Sequence, residues 1–586
     1  MRGFSSLAEV LQHQAVQRPD VAAVTVYSDR PGERPSLTFA GLHAQAACLA
    51  EQLAAESVPG DRALLIFPSC LEFVVAYFAC LMAGVVAVPM MPPRRNANHD
   101  ASAAIMADCT PRLALSLAAD PDPRGTLRER LTERGIRHFP VSLAPDPPLA
   151  PGPLRGTTEL AFLQYTSGST ATPKGVMVSH RNLLDNLEMM RARLGNHTDS
   201  AHVSWIPLYH DLGLIMSLLQ PIYLGAPCVL MTPSGFMHRP LNWLRAVHEH
   251  GAEVAAAPNF AYDLCVDRFR QEQMEGVDLS GWKIALNGAE PVRAATLERF
   301  AATFEPYGFD ARAMRPAYGL AEATLLVSAA DRGAVARIRE VSASGLKAAC
   351  IAAPEHPGDI SRIASCGSAM AGLSLAIVDP DTRRRLPPGQ IGEIWLQASS
   401  VACGYWERPA ESEATFRARI ETDSERSPAQ PGCWLRTGDL GHLDADGELY
   451  VVGRLKDVMI IRGVNHYPQD IEATVAASHP SLRRDHGAAF AILDDAGNEQ
   501  IVVVQEIERT QRHSLAEAEV TSAVQAAVVN NHDIALHKIV LIRPGTLPKT
   551  TSGKIQRSLT KRRWLDEELE PWSSADQPAD KPADSH

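Results

Sequence analysis

QYTSGSTATPKG, residues 164–175, gathers hydroxyl side chains, two glycines and a lysine into one short loop. Thr166, Ser167, Ser169 and Thr170 offer hydroxyl and backbone N–H donors. Gly168 and Gly175 let the main chain approach a ligand closely, and Lys174 adds a point positive charge. That set suits a polyphosphate. The spacing from Gly168 to Lys174 matches the P-loop pattern G-x-x-x-x-G-K-[ST], but Pro173 replaces its second glycine and Gly175 its magnesium-binding hydroxyl. The loop is therefore not a Walker loop. Taken alone, such a cluster after the apolar run 160–163 would serve equally well as an ordinary turn, so its context decides.

A chain of 586 residues is too long for one core, which predicts at least two domains, and 45% apolar with 21% charged residues is an ordinary globular composition. The formal charge of −12 argues against nucleic-acid binding. Ten cysteines without a C-x-x-C pair read as reduced thiols rather than a disulfide or zinc framework. The first residues lack an apolar signal core, so the cytoplasm is the expected compartment. The uncharged run 73–91 approaches the ~20 residues that span a bilayer. Gly84 and Pro89 interrupt it, however, and it reads as a buried helix over 71–83 turning into a strand over 85–88. No integral membrane association is expected.

Strand-like runs at 63–67, 85–89 and 227–231 alternate with helical patterns, which predicts α/β layers with largely parallel sheets. The proline-rich stretch 142–156 reads as a surface connection. Beyond residue 454 the pattern becomes compact α+β: a helix from Pro468, strands at 488–493 and 501–507, a helix from Ser514 and a strand at 538–542. The expected division is a large domain over 1–454, a mobile small domain over 455–570, and a disordered tail over 571–586.

Six further segments carry chemistry. RPAYGLAEAT (315–324) sets an aromatic, Tyr318, beside a glycine turn, with the carboxylate of Glu322 four residues on. LNGAEPVRAATLERF (286–300) reads as a strand end running into a helix with Pro291 in its first turn. TGDLG (437–441) presents Asp439 in what is otherwise a turn, GRLKD follows with Arg454 and Lys456, and PKTTSGKIQR (548–557) carries a glycine-flanked Lys554. WIPLYHDLGLI (205–215) puts His210 and Asp211 before apolar residues, a pocket with a polar mouth.

Together these segments resemble, over nearly the whole chain, the adenylate-forming superfamily of acyl and aryl acid ligases. The resemblance implies a large multi-subdomain α/β N-terminal domain joined by a hinge to a small α+β domain. It further implies that ATP is held by the loop residues above and by Gly288, Ala289, Glu290, Ala317, Tyr318, Gly319 and Leu320, with Tyr318 stacked on adenine. Asp439 and Arg454 would take the ribose, and Glu322 would hold Mg²⁺. Lys554 is implied as the catalytic lysine bridging carboxylate and α-phosphate, His210 as the residue beside the substrate carboxylate, and Lys456 as the hinge. One departure stands out: Ala321 occupies a position where many members carry threonine, which removes a phosphate contact or shifts it elsewhere.

PMMPPRR (89–95), SGSTATPKG, IPLYHDLGLI, NGAEPVRAATLERF and IIRGVNHYPQDIE (460–472) are similar to the fatty acyl-AMP ligases in particular. Residues 329–362 occupy the place of that family's insertion, with Val341, Leu346 and Ile351 as candidate anchors on the large domain. The family implies a medium- or long-chain fatty acid as substrate and an acyl carrier protein acting in trans as acceptor. Two rivals stand beside this reading: an acyl-CoA synthetase using free CoA, and a silent acyl-adenylate-binding protein. The second would be expected to lack Lys554, Glu322 or Asp439, all of which are present.

Overall fold

The structure is a computed structural model that describes residues 3–572 apart from 29–33, 93–100, 119–125, 146, 148–157, 167–172, 422–432, 462–463, 494–498, 512–514 and 551–552. Residues 573–586 and most of the proline-rich stretch 142–156 lie outside the described residues. Trp572, expected in the disordered tail 571–586, is instead buried in the core of the small domain, because it joins the apolar cluster that holds Leu541 and its backbone N–H donates to Leu541 O.

The uncharged run folds as a helix, Leu71–Ala83, stopped by Gly84 at φ 73°, a left-handed angle that glycine takes without a Cβ penalty. The chain reverses there into the strand Val86–Met90, buried at every position. This strand starts one residue later than the sequence suggests and runs through Pro89 instead of breaking at it. Its ladder to Leu160–Thr166 consists of Ala87 opposite Phe162, so the proline lies past the pairing on that side. Among the described residues, no helix is long and apolar enough to cross a membrane.

A six-stranded sheet runs in the order Arg137–Val141, Leu113–Leu117, Arg62–Ile66, Val86–Met90, Leu160–Thr166, Lys174–Ser179. Its pairs are parallel except the last, where Thr166 faces Lys174 across a hairpin. Residues 167–172, which hold most of the glycine- and hydroxyl-rich stretch, lie outside the described residues. A second, 14-stranded sheet is parallel through His202–Ser204, Val254–Ala257, Ile284–Asn287 and Met314–Gly319. Past Gly319 its strands pair antiparallel. The expectation of largely parallel sheets therefore fails for that half. Its strands Leu435–Leu443 and Glu448–Arg454 are joined by a tight turn closed by Gly447 N–H on Asp444 O at 3.1 Å, a link too short for a parallel crossover.

The small C-terminal domain has its own apolar core under the strands Leu482–Leu493, Glu499–Ile507 and Leu536–Ile542. The helix Pro468–Ser478 begins where the sequence places it, and the next helix, Glu517–His532, begins three residues after Ser514. Within residues 329–362, the strand Ile338–Ser342 pairs with Ile360–Ala369 and leads into the helix Ala343–Lys347. Val341 and Leu346 are buried with Ile391, Leu440 and Val452, and Ile351 packs at the edge. The same cluster takes in Leu455 and Val458 from the linker and Tyr467 from the start of the small domain. Residues 341–351 therefore pack against both the linker and the start of the small domain.

Candidate active site

The two domains close over a cavity of about 1850 Å³. Thr166, Lys174, His210, Gly288, Ala289, Glu290, Ala317, Tyr318, Gly319, Leu320, Glu322, Asp439, Arg454, Lys456 and Lys554 all line it. Ser167, Gly168, Ser169 and Thr170 lie outside the described residues.

Tyr318 ends the strand Met314–Gly319, and its hydroxyl donates to Asp439 Oδ2 at 2.7 Å. Arg454, paired with Asp439 across adjacent strands, donates from Nε to the other carboxylate oxygen at 3.0 Å. That carboxylate keeps the Arg454 guanidinium well above its ordinary value. The neighbouring backbone is tight: a Cβ on Gly288 would meet Ala317 O at 2.9 Å, and one on Gly319 would meet Leu325 O at 2.0 Å. Ala289 adopts φ 70°, a strained angle for an alanine at the cavity wall. Pro291 falls in the loop before the helix Ala294–Phe304 rather than in its first turn, because Asn259 gathers this loop from outside. The Asn259 amide accepts from Arg293 N at 3.1 Å and donates to Pro291 O at 2.9 Å.

The sequence reading missed Glu393, which is 2% exposed and accepts from Gly438 N at 3.1 Å and Arg436 Nη2 at 2.7 Å. It holds the Gly438 backbone beside Asp439 within the strand Leu435–Leu443. Its only signal was a carboxylate inside the apolar run IGEIWL (391–396).

Glu322 accepts the Tyr405 hydroxyl at 2.9 Å, and Lys174 Nζ lies 5.0 Å over the same tyrosine ring. Tyr405, also missed, thus touches both Lys174 and the candidate metal carboxylate Glu322. Burial pushes Glu322 above the usual carboxylate range, partly opposed by the Tyr405 hydrogen bond. A cation beside it would relieve that penalty. Among the described residues no group of three His, Cys, Asp or Glu can hold a metal. A single half-buried carboxylate fits a magnesium ion that takes its other ligands from phosphate and water. The hydroxyl removed at Ala321 is not replaced by Thr324, whose side chain donates to Ser400 O at 2.6 Å.

Lys554 enters from the small domain on a turn in which Thr550 N donates to Lys554 O at 2.7 Å and Lys554 N to Thr550 Oγ1 at 3.0 Å. Desolvation holds its ammonium below the usual lysine range, with Asp211 opposing and Arg454 adding to the shift. His210 Nδ1 lies 2.6 Å from Asp211 Oδ1, which leaves Nε2 as the nitrogen free for a ligand. Burial would raise the Asp211 carboxyl, but His210 and Lys554 pull it down to about 2. The following segment is a π-helix, Leu212–Leu219, which nothing in its uniformly apolar sequence announced. A Cβ on Gly213 would meet Pro207 O at 2.2 Å, so the helix starts jammed against the loop that carries His210.

A cavity that gathers the Asp439 carboxylate, the Lys174 ammonium and, from the small domain, the Lys554 ammonium around one space suits a charged ligand held between the two domains. Residues 11–406 match the AMP-binding enzyme family, and residues 456–574 match the Disco-interacting protein 2-like AMP domain. The medium-chain-fatty-acid–[acyl-carrier-protein] ligase JamA of Moorena producens is 41% identical, over 97% of each chain. The long-chain-fatty-acid–AMP ligase FadD26 of Mycobacterium bovis is 37% identical, over 95% of this chain and 97% of its own. A crystal structure of a fatty acyl-adenylate ligase from Legionella pneumophila, in complex with acyl adenylate and pyrophosphate, superposes with a TM-score of 0.72 at 36% identity over 97% of each chain. The chain belongs to the AMP-binding, adenylate-forming family, in its fatty acyl-AMP ligase branch.

Proposed function

We propose that this chain condenses a medium- or long-chain fatty acid with ATP to give fatty acyl-AMP and pyrophosphate, and then passes the acyl group to the phosphopantetheine thiol of an acyl carrier protein acting in trans. In the first step a carboxylate oxygen bonds to the α-phosphorus while the bond to the bridging oxygen breaks and pyrophosphate leaves. The observation that carries this reading is Lys554, brought from the small domain into the cavity that also holds His210, Asp439 and Glu322. Its ammonium bridges the incoming carboxylate and the α-phosphate, where charge builds in the transition state. His210 orients the carboxylate, and Asp439 with Arg454 anchors the ribose. Glu322 would hold magnesium, which would supply charge neutralisation on the polyphosphate. Leu212, Phe260 and Val292 line the same cavity and suit an acyl chain, each buried CH₂ adding about 0.8 kcal/mol.

The acceptor is a carrier thiol rather than free CoA on this reading, because the insertion shares an apolar cluster with Leu455, Val458 and Tyr467 across the joint. Rotation of the small domain into a CoA-using arrangement would open that cluster. The test is incubation with Mg-ATP and dodecanoic acid, with and without CoA, and products identified by mass spectrometry. Acyl-AMP unchanged by CoA is expected, and acyl-CoA would overturn the carrier assignment. Excision of residues 335–355 should release CoA activity; a folded enzyme without it would show that the insertion is not the block.

A further inference from the structure

Glu411 stands on the helix Pro409–Phe416, and its carboxylate is ion-paired with the Lys174 ammonium. Neither partner is a loose surface arm. Lys174 closes the hairpin opposite Thr166 and lies over the Tyr405 ring. The segment leading to Glu411 is fastened to the same hairpin strand: Trp406 N donates to Gly175 O at 2.8 Å, and Tyr405 pairs with Val176. Arg408 then reaches Glu411 at 3.1 Å with one nitrogen and Asp108 at 3.0 Å with the other. Asp108 in turn accepts the Tyr165 hydroxyl at 2.6 Å. The carboxylate is thus carried on the frame of the phosphate loop itself. The Lys174 contact holds it below the usual carboxylate range, so it stays charged at neutral pH.

We propose that Glu411 is a positioning residue that competes with the pyrophosphate end of the nucleotide for Lys174 and thereby weakens retention of the pyrophosphate product. The inference rests on the reading of Lys174 as a phosphate contact. No covalent bond changes in this exchange; one ion pair replaces another. While pyrophosphate is bound, Glu411 is a fixed negative neighbour of its oxygens. When pyrophosphate leaves, Lys174 returns to the carboxylate and is not left as a bare cation in the cavity wall.

The test uses the full chain and reads two quantities, inhibition of acyl-AMP formation by pyrophosphate and direct calorimetric affinity for Mg-pyrophosphate. Glu411→Gln is expected to tighten pyrophosphate by about 2- to 5-fold, the range a partly exposed ion pair supports, and to lower the KM for ATP in the same direction. The gain should shrink at high salt. A purely structural role would lower the melting temperature or weaken binding, and would not tighten it. Lys174→Ala is the companion variant and is expected to weaken pyrophosphate. If Lys174→Ala weakens it while a folded Glu411→Gln leaves it unchanged or weaker, the exchange is overturned. If Lys174→Ala leaves it unchanged, the phosphate role of Lys174 fails and the inference fails with it. Should Glu411→Gln not fold, Glu411→Asp, which keeps the charge on a shorter arm, carries the same test: tightening supports the exchange and its absence overturns it.

Discussion

Gly553 lies so close to Phe260 that a Cβ added to it would sit 2.6 Å from the ring's Cε1, at a φ of +84°. The glycine belongs to the small domain and the phenylalanine to the cavity wall of the large one. Their contact lies one residue before Lys554 in the chain. Gly553→Ala is expected to cut adenylate formation by at least ~10-fold with nucleotide binding nearly unchanged, because the added methyl and the left-handed angle each oppose closure. Adding Phe260→Ala should recover part of the loss, leaving the backbone penalty of roughly 1–2 kcal/mol. Single-turnover kinetics with a parallel nucleotide titration would separate the two effects.

Lys554→Ala should lower adenylation by about 10²–10³-fold, the scale of losing one preorganised charge donor. Stability should move the other way. The folded value of this lysine lies below its unfolded one, so its protonated form opposes folding, and that opposition fades as pH rises through the folded value. Activity, which needs the ammonium, should fall over that same rise. A thermal melt of the variant no lower than the parent, beside an alkaline activity limb below the usual lysine range, is the expected pair of results.

Tyr405→Phe should move the acid limb of the activity profile to higher pH. Glu322 already titrates above the usual carboxylate range because of burial, and the Tyr405 hydroxyl is one of the groups that restrain the rise. Without that hydroxyl the carboxylate protonates sooner as pH falls, and its hold on a cation weakens with it. Magnesium titrations at several pH values would show the shift, and a limb left in place would remove Tyr405 from this role.

Arg293 of the large domain is ion-paired with Asp485 of the small one and donates to Asp263 Oδ2 at 3.0 Å. Asp485 sits at φ 57°, an angle asparagine also tolerates, so Asp485→Asn removes the charge with little backbone change. It should slow adenylation by destabilising the closed arrangement. A double-mutant cycle with Arg293→Met should report a coupling of about 0.5–3 kcal/mol.

The sequence was most readable where structure is local. The helix Leu71–Ala83 and its glycine stop are written in consecutive residues, and Tyr318 and Asp439 sit in short glycine-marked motifs within the strands Met314–Gly319 and Leu435–Leu443. Tyr405, Glu411 and Glu393 were not readable, because each acts on residues distant in the chain, as Tyr405 meets Val176 and Glu411 meets Lys174. The π-helix Leu212–Leu219 escaped because an apolar surface on every side has no period to read. The antiparallel half was misjudged because short apolar runs carry no mark of strand direction.

The pairing of Asp439 with Tyr318 and Arg454 bears on which sugars the enzyme tolerates. A buried carboxylate with no protein partner would reject any nucleotide lacking a ribose hydroxyl, since it would be left bare. Here Tyr318 stands ready at 2.7 Å to reclaim the abandoned oxygen. Deoxyadenosine triphosphate should therefore be a serviceable substrate, and replacing Tyr318 with phenylalanine should make the enzyme more selective for ribose even as it becomes slower.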